Sequence, residues 1–125
     1  MKWTFRGDVP IYLQLVNQIR LMIVSGGFEP GQRLPTVRDI AAEAGVNPNT
    51  MQRAMSELER TGLVFSQRTT GRYVTEDVAV IGEARRQLAL ERASEFLKTM
   101  KELGYSAHEA AAMLSREGEL SNDSI

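Results

Sequence analysis

Leu34-Pro35-Thr36-Val37-Arg38-Asp39-Ile40-Ala41-Ala42-Glu43-Ala44-Gly45-Val46-Asn47-Pro48-Asn49-Thr50-Met51-Gln52-Arg53-Ala54 is the stretch on which the reading of this chain turns. Thr36 can cap a short helix whose apolar face is Val37, Ile40, Ala41 and Ala44, and Gly45 supplies its left-handed stop. Asn47 is a good N-cap for the next helix, and Pro48 falls at its first position, where a missing N–H costs nothing. Met51, Ala54, Met55 and Leu58 recur at the spacing of a buried stripe, so Asn49, Gln52, Arg53 and Ser56 point the other way. Ala41 is small where two helices must cross closely, Val46 plugs the corner beneath the turn, and Met51 anchors the second helix. Two short helices joined this tightly form a helix-turn-helix, which presents the second helix's N-terminal side chains to a major groove.

Working outward, an upstream helix begins at Pro10 and carries Tyr12, Leu15, Val16, Ile19, Met22 and Ile23 at core spacing. Gly26-Gly27 ends it, and Glu29-Pro30-Gly31 reads as a turn. Downstream, Thr61-Gly62 closes the second helix of the pair. Leu63 to Gln67 then reads as a strand, Arg68 to Gly71 as a tight turn, and Arg72 to Thr75 as the returning strand. The helical period resumes from Asp77 to Leu103, with Ala89, Ala93, Phe96, Leu97, Met100 and Leu103 on one face. Gly104 stops that helix, and Ser106 with Glu109 matches a capping box for a last helix bearing Ala107, Ala110, Ala111 and Leu114. The fold class predicted is α+β, mostly α. A winged helix-turn-helix occupies residues 1–75, a two-helix extension 76–118 and a frayed tail 119–125.

The chain has 125 residues and a formal net charge of −1, with no cysteine and a single histidine, His108. A chain of this length can bury a core without staples. The absence of cysteine excludes a disulfide framework, a thiolate nucleophile and cysteine-ligated metal sites, and one histidine excludes clusters needing two. No triad, paired-acid or phosphate-loop pattern is present, so neither enzyme chemistry nor a cofactor nor a metal is inferred. Apolar runs such as Leu21-Met22-Ile23-Val24 are too short to span a bilayer, and no secretory h-region follows Met1, so a cytoplasmic protein with no membrane partner is expected. The small net charge hides an asymmetry. Through Thr75 nine cations face six anions, whereas from Glu76 onward six cations face ten anions. A positive first half points weakly to a polyanion.

These motifs together resemble the GntR transcription regulators. The resemblance rests on Leu34 to Ala41, Val46 to Ala54, Glu57-Leu58-Glu59-Arg60-Thr61-Gly62-Leu63 and Gly71-Arg72-Tyr73-Val74-Thr75, and covers roughly residues 8 to 77. Pro10-Ile11-Tyr12-Leu13-Gln14-Leu15, the Asn47-Pro48-Asn49-Thr50 turn and the short tail are similar to the YtrA-type subfamily. Its members carry a pair of C-terminal helices in place of a metabolite-binding domain. The resemblance implies a winged-helix head, helical homodimerisation and binding of double-stranded DNA at inverted repeats, most simply as a repressor. It carries DNA contact to Arg38 near the start of the first helix of the pair. It carries backbone and base contact to Asn47, Asn49, Thr50 and Gln52, and wing-tip contact to Arg68 and Thr69. Pro48 stands where many relatives have arginine, Thr69 replaces a common wing glycine, and Arg72 a common threonine, so the base code is left open.

The residues themselves leave alternatives open. Arg53 lies four residues before Glu57, so a surface ion pair and a DNA contact are both available to it. Arg38, Arg68 and Arg72 can neutralise phosphates, and an Asn or Gln amide can pair bidentately with adenine. Tyr12, Phe65 and Tyr73 sit at core periods, while Trp3 and Phe5 pack on the wing or a partner rather than on bases. The stripe of Ala89, Ala93, Phe96, Leu97, Met100, Leu103 and Leu114 is assigned to dimerisation, with folding back onto the winged head as the alternative. A winged-helix protein-interaction module and a non-specific architectural DNA binder are the competing functions. The sequence specifies neither an operator nor a small-molecule effector.

Overall fold

The computed structural model describes residues 2–123. The chain divides into two compact units at the Arg86/Gln87 junction.

The first unit is built on three helices. α1 (Ile11–Val24) buries Leu15, Ile19, Ile23 and Val24. α2 (Val37–Ala44) is capped by Thr36, whose hydroxyl oxygen accepts from the Asp39 N–H at 3.1 Å. α3 (Pro48–Arg60) starts after Asn47, whose side-chain oxygen accepts from the Asn49 N–H at 2.7 Å, and buries Met51, Ala54, Met55 and Leu58. α1 and α2 both pack on α3. Gly45 adopts φ 73°, ψ 33°, and the Val46 N–H donates back to Ala41 O at 3.0 Å, closing α2 with a left-handed turn that leads directly into α3.

The wing follows. β1 (Val64–Gln67) pairs antiparallel with β2 (Gly71–Val74), with Val64 opposite Val74 and Gln67 opposite Gly71. The other edge of β2 is also paired, by the segment preceding α2. Leu34 N–H donates to Arg72 O at 2.8 Å, Val74 N–H to Gln32 O at 2.9 Å and Gly31 N–H to Val74 O at 3.0 Å. The sequence reading has a turn at residues 29–31 and no strand after it. Gln32-Arg33-Leu34 is too short to show a period of its own, and the unpaired edge of β2 supplies its order.

α4 (Val78–Glu102) begins at Asp77, whose carboxylate accepts from the Ala79 N–H at 3.0 Å. Its first turns belong to the winged head. Ile81 is buried, and the Arg85 guanidinium donates to Val24 O from Nε at 3.3 Å and from its terminal nitrogen at 3.0 Å, satisfying the carboxyl end of α1. The head thus runs through Arg86, eleven residues past the boundary predicted at Thr75.

The second unit holds the rest of α4 and α5 (Ala107–Asp123). Tyr105 N–H donates to Met100 O at 2.9 Å after Gly104, and the capping box forms in both directions. Ser106 N–H donates to the Glu109 carboxylate at 3.0 Å, and Glu109 N–H to the Ser106 hydroxyl at 3.1 Å. α4 and α5 share little of their length in contact, and Leu88 and Ala110 are the buried apolar residues of this unit among those described. α5 continues through Asp123, beyond the end predicted at 118, because propagating a nucleated helix costs little per residue. Ser124 and Ile125 of the predicted tail lie outside the described residues.

Two glycines should respond oppositely to alanine. Gly45→Ala meets no neighbouring atom yet must hold φ +73°, so it should destabilise the protein by about 1–2 kcal/mol. Gly82→Ala, inside α4 with open space at its Cβ, should stabilise by about 0.5–1 kcal/mol. Urea unfolding followed by circular dichroism measures both.

Candidate nucleic-acid interface

The face of α3 turned away from the core is polar. Asn49, Gln52, Arg53 and Ser56 are exposed and Thr50 is half-buried, as the apolar spacing requires. The exposed Asn47 spends its side-chain oxygen on the first turn of α3, which also holds that turn's N–H groups in the orientation an anion would meet. Gln52 donates only a long 3.4 Å hydrogen bond to Ser56, so its amide is nearly free. It lines a groove of about 220 Å³ together with Thr36 before α2 and Arg33, Gly71 and Arg72 of the wing.

The arginines around this face differ in what already holds them. Arg38 on α2 and Arg68 at the wing tip are exposed and have no ion-pair partner among the described residues. Thr69 is exposed beside Arg68, in a turn closed by Thr70 N–H donating to Gln67 O at 3.3 Å. Arg53 makes no pair with Glu57. Glu57 is taken by Arg60, whose guanidinium bonds its carboxylate and holds its pKa below the ordinary glutamate value. The Arg53 guanidinium instead lies over the Tyr12 ring, 3.6 Å from the centroid.

Arg72 is also committed. Its Nε donates to Glu59 of α3 at 2.6 Å, and Ser66 of β1 donates to the same carboxylate oxygen at 2.5 Å. Partial burial pushes the Glu59 pKa upward, but the hydrogen bonds from Ser66 and Arg72 outweigh it and leave the carboxyl below its usual range. One carboxylate therefore ties both wing strands to the helix whose polar face is exposed.

Arg33 is the residue that the sequence reading passed over. It pairs with Tyr73 across β2, is exposed, and runs so close to Gly71 that a Cβ there would sit 3.1 Å from its Nε. The available signal was its position directly before Leu34-Pro35, but only the third edge of the wing places it beside Gln52. Trp3 and Phe5 stack on each other, with centroids 6.4 Å apart.

The residues assigned to dimerisation lie in the second unit. Ala89 and Ala93 are exposed and Phe96 and Met100 half-buried, while Leu97, Leu103 and Leu114 are 41%, 67% and 53% exposed. No three metal-ligating side chains cluster among the described residues, and no described helix is long and apolar enough to cross a membrane.

A helix-turn-helix with a polar second helix, a wing tied to it and unpaired arginines beside both defines a winged-helix DNA-binding module. The family profile described as "Bacterial regulatory proteins, gntR family" matches residues 11–74. The chain belongs to this family, within its YtrA-type subfamily, and is a sequence-specific DNA-binding transcription regulator rather than an enzyme. It is 41% identical to the uncharacterized HTH-type transcriptional regulator YhcF of Bacillus subtilis over 84% of this chain and 87% of that protein. It is 32% identical to the HTH-type transcriptional repressor YtrA of the same organism, over 89% and 81% of the two chains. Among solved structures, a GntR family transcriptional regulator from Listeria monocytogenes superposes with a TM-score of 0.81 at 37% identity, covering 90% of this chain and 98% of that one. The AraR DNA-binding domain in complex with operator ORX1 gives 0.55 at 28% identity, covering 60% and 96%.

The wing tie has a defined acid response. Because the folded pKa of Glu59 lies below the free value of 4.5, its contribution is complete above that value and is lost as pH falls through the folded one. The Arg72 Nε–H resonance in NMR should therefore hold its position through pH 5 and move only below the ordinary glutamate range. In Glu59→Gln that transition should be missing.

Proposed function

We propose that this regulator is a homodimeric repressor that binds an inverted-repeat operator, one winged head per half-site, in the cytoplasm. The observation that carries the reading is the polar face of α3, where Gln52 lies in a groove bordered by Arg33 of the wing, with Arg38 on α2 and Arg68 at the wing tip exposed. In this reading Asn49, Thr50 and Gln52 enter the major groove, and the Gln52 amide reads a base edge. Asn47 and the amino end of α3 meet a phosphate. Arg33, Arg38 and Arg53 meet the backbone, and Arg68 and Thr69 reach the adjacent groove from the wing tip. Arg72 serves by holding the wing, since its charge is already shared with Glu59.

The dimer is supported by the uncovered stripe on α4 and α5. Leu97, Leu103 and Leu114 lie in exposed apolar surface that a second copy would remove from water, and a two-fold axis would then relate two heads to two half-sites. Repression follows most simply from occupying a promoter, and the YtrA relative is named a transcriptional repressor.

Selection from a random duplex library with the full chain tests this directly. Enrichment of an inverted repeat bound in preference to a scrambled duplex is expected, and no enrichment would overturn the reading. On the selected duplex, Gln52→Ala should cut discrimination against the scrambled one by about fivefold or more. Arg68→Ala should weaken both duplexes and lower the slope of log affinity against log salt by about one. Leu97→Glu should sediment as a monomer and lose about a hundredfold in affinity for the inverted repeat, because the half-sites no longer act together. A monomer with unchanged affinity would refute the dimeric part.

A further inference from the structure

We infer that Tyr12 is a positioning residue for DNA binding. Its ring holds the Arg53 guanidinium at the margin of the recognition face, ready to meet a backbone phosphate. The inference rests on the DNA-binding reading of α3 given above.

The carboxylate within reach of Arg53 on its own helix is already taken. Glu57, one turn further along α3, is engaged through both oxygens by Arg60. Arg53 is left with the face of Tyr12, 3.6 Å from guanidinium carbon to ring centroid, a distance at which the cation sits in direct contact with the π cloud. The contact crosses from α3 to the first turns of α1, two helices that pack along each other in the core of the head. Tyr12 is itself half-buried, while Arg53 stays exposed.

This geometry suits phosphate binding better than an ion pair would. A carboxylate partner would neutralise the charge that a phosphate needs and would occupy the N–H edge that bonds it. An aromatic face takes neither. It contacts the flat side of the guanidinium and leaves the five N–H donors at the rim directed outward. It also restricts rotamers before binding, so less freedom is lost when DNA arrives. Arg53 thus keeps its charge and loses its mobility, whereas Arg72 keeps its place and shares its charge.

A double-mutant cycle on the full chain tests the inference, read by anisotropy on the selected inverted repeat and on a scrambled duplex of equal length. Arg53→Ala should weaken both duplexes by a similar factor of about ten, as the loss of a phosphate contact does. Tyr12→Leu should weaken binding about two- to fivefold. Tyr12→Phe should bind as the wild type does, since its ring offers the same face. In the Tyr12→Leu background Arg53→Ala should cost clearly less than in the wild type, with a coupling of about twofold or more. Thermal melting of each variant separates loss of fold from loss of contact. Additive effects of the two changes would overturn the inference and reduce the stack to packing. Tyr12→Phe as damaging as Tyr12→Leu would also overturn it, by making the hydroxyl the binding group. Normal binding by Arg53→Ala would overturn it while leaving the function intact. Failure of the wild type to enrich any duplex would instead remove the DNA-binding reading on which it stands.

Discussion

Three residues separate α2 from α3, and everything presented to the outside depends on that turn. Gly45 holds a left-handed conformation that an L side chain resists, and Val46 returns its N–H to Ala41. Asn47 then starts α3 at once. With so little chain available, the crossing of the two helices is set by Ala41 and Met51, both fully buried. Once Met51, Ala54, Met55 and Leu58 face inward, Asn49, Gln52 and Arg53 have no choice but to face outward. The polar surface of α3 is thus a consequence of how its apolar surface is packed.

The wing is a second layer of that constraint. Its strands are four residues each, too short to be stable alone. They gain order from a third edge at Gln32 to Leu34 and from one carboxylate, Glu59, which binds Ser66 on β1 and Arg72 on β2. The same contact that steadies the wing pairs Arg72 through its Nε. These arginines carry the same charge but have different neighbours. Among the described residues Arg38 and Arg68 have no ion pair, Arg53 lies over the Tyr12 ring and Arg72 pairs with Glu59 through its Nε.

The second unit works differently. Its helices are well terminated, with a reciprocal capping box at Ser106 and Glu109, yet they bury little of their own apolar stripe. The Ser106 bonds hold the Glu109 carboxyl below its usual range, although it is fully exposed, so the cap is a local device that needs no tertiary cover. Local signals fix where these helices begin and end, while Leu97, Leu103 and Leu114 of the apolar stripe are exposed.

What the sequence determined is everything carried by short-range chemistry. Helix caps at Thr36, Asn47 and Ser106, the stop at Gly45, the apolar spacing of α3 and the hairpin over Val64 to Val74 each depend on neighbours within a few residues, and all were legible. The motif from Leu34 to Ala54 was enough for the family. What only the tertiary structure decided involves partners far apart in the chain. The third wing edge joins residue 32 to residue 74, and Arg85 reaches Val24 to draw the start of α4 into the head. Tyr12 receives Arg53, and Glu59 receives Arg72. In sequence, Arg53 stood nearest to Glu57 and Arg72 appeared free. Local spacing counts the charges available to a side chain, whereas folding sets the distances, and the strength of these contacts falls steeply with distance.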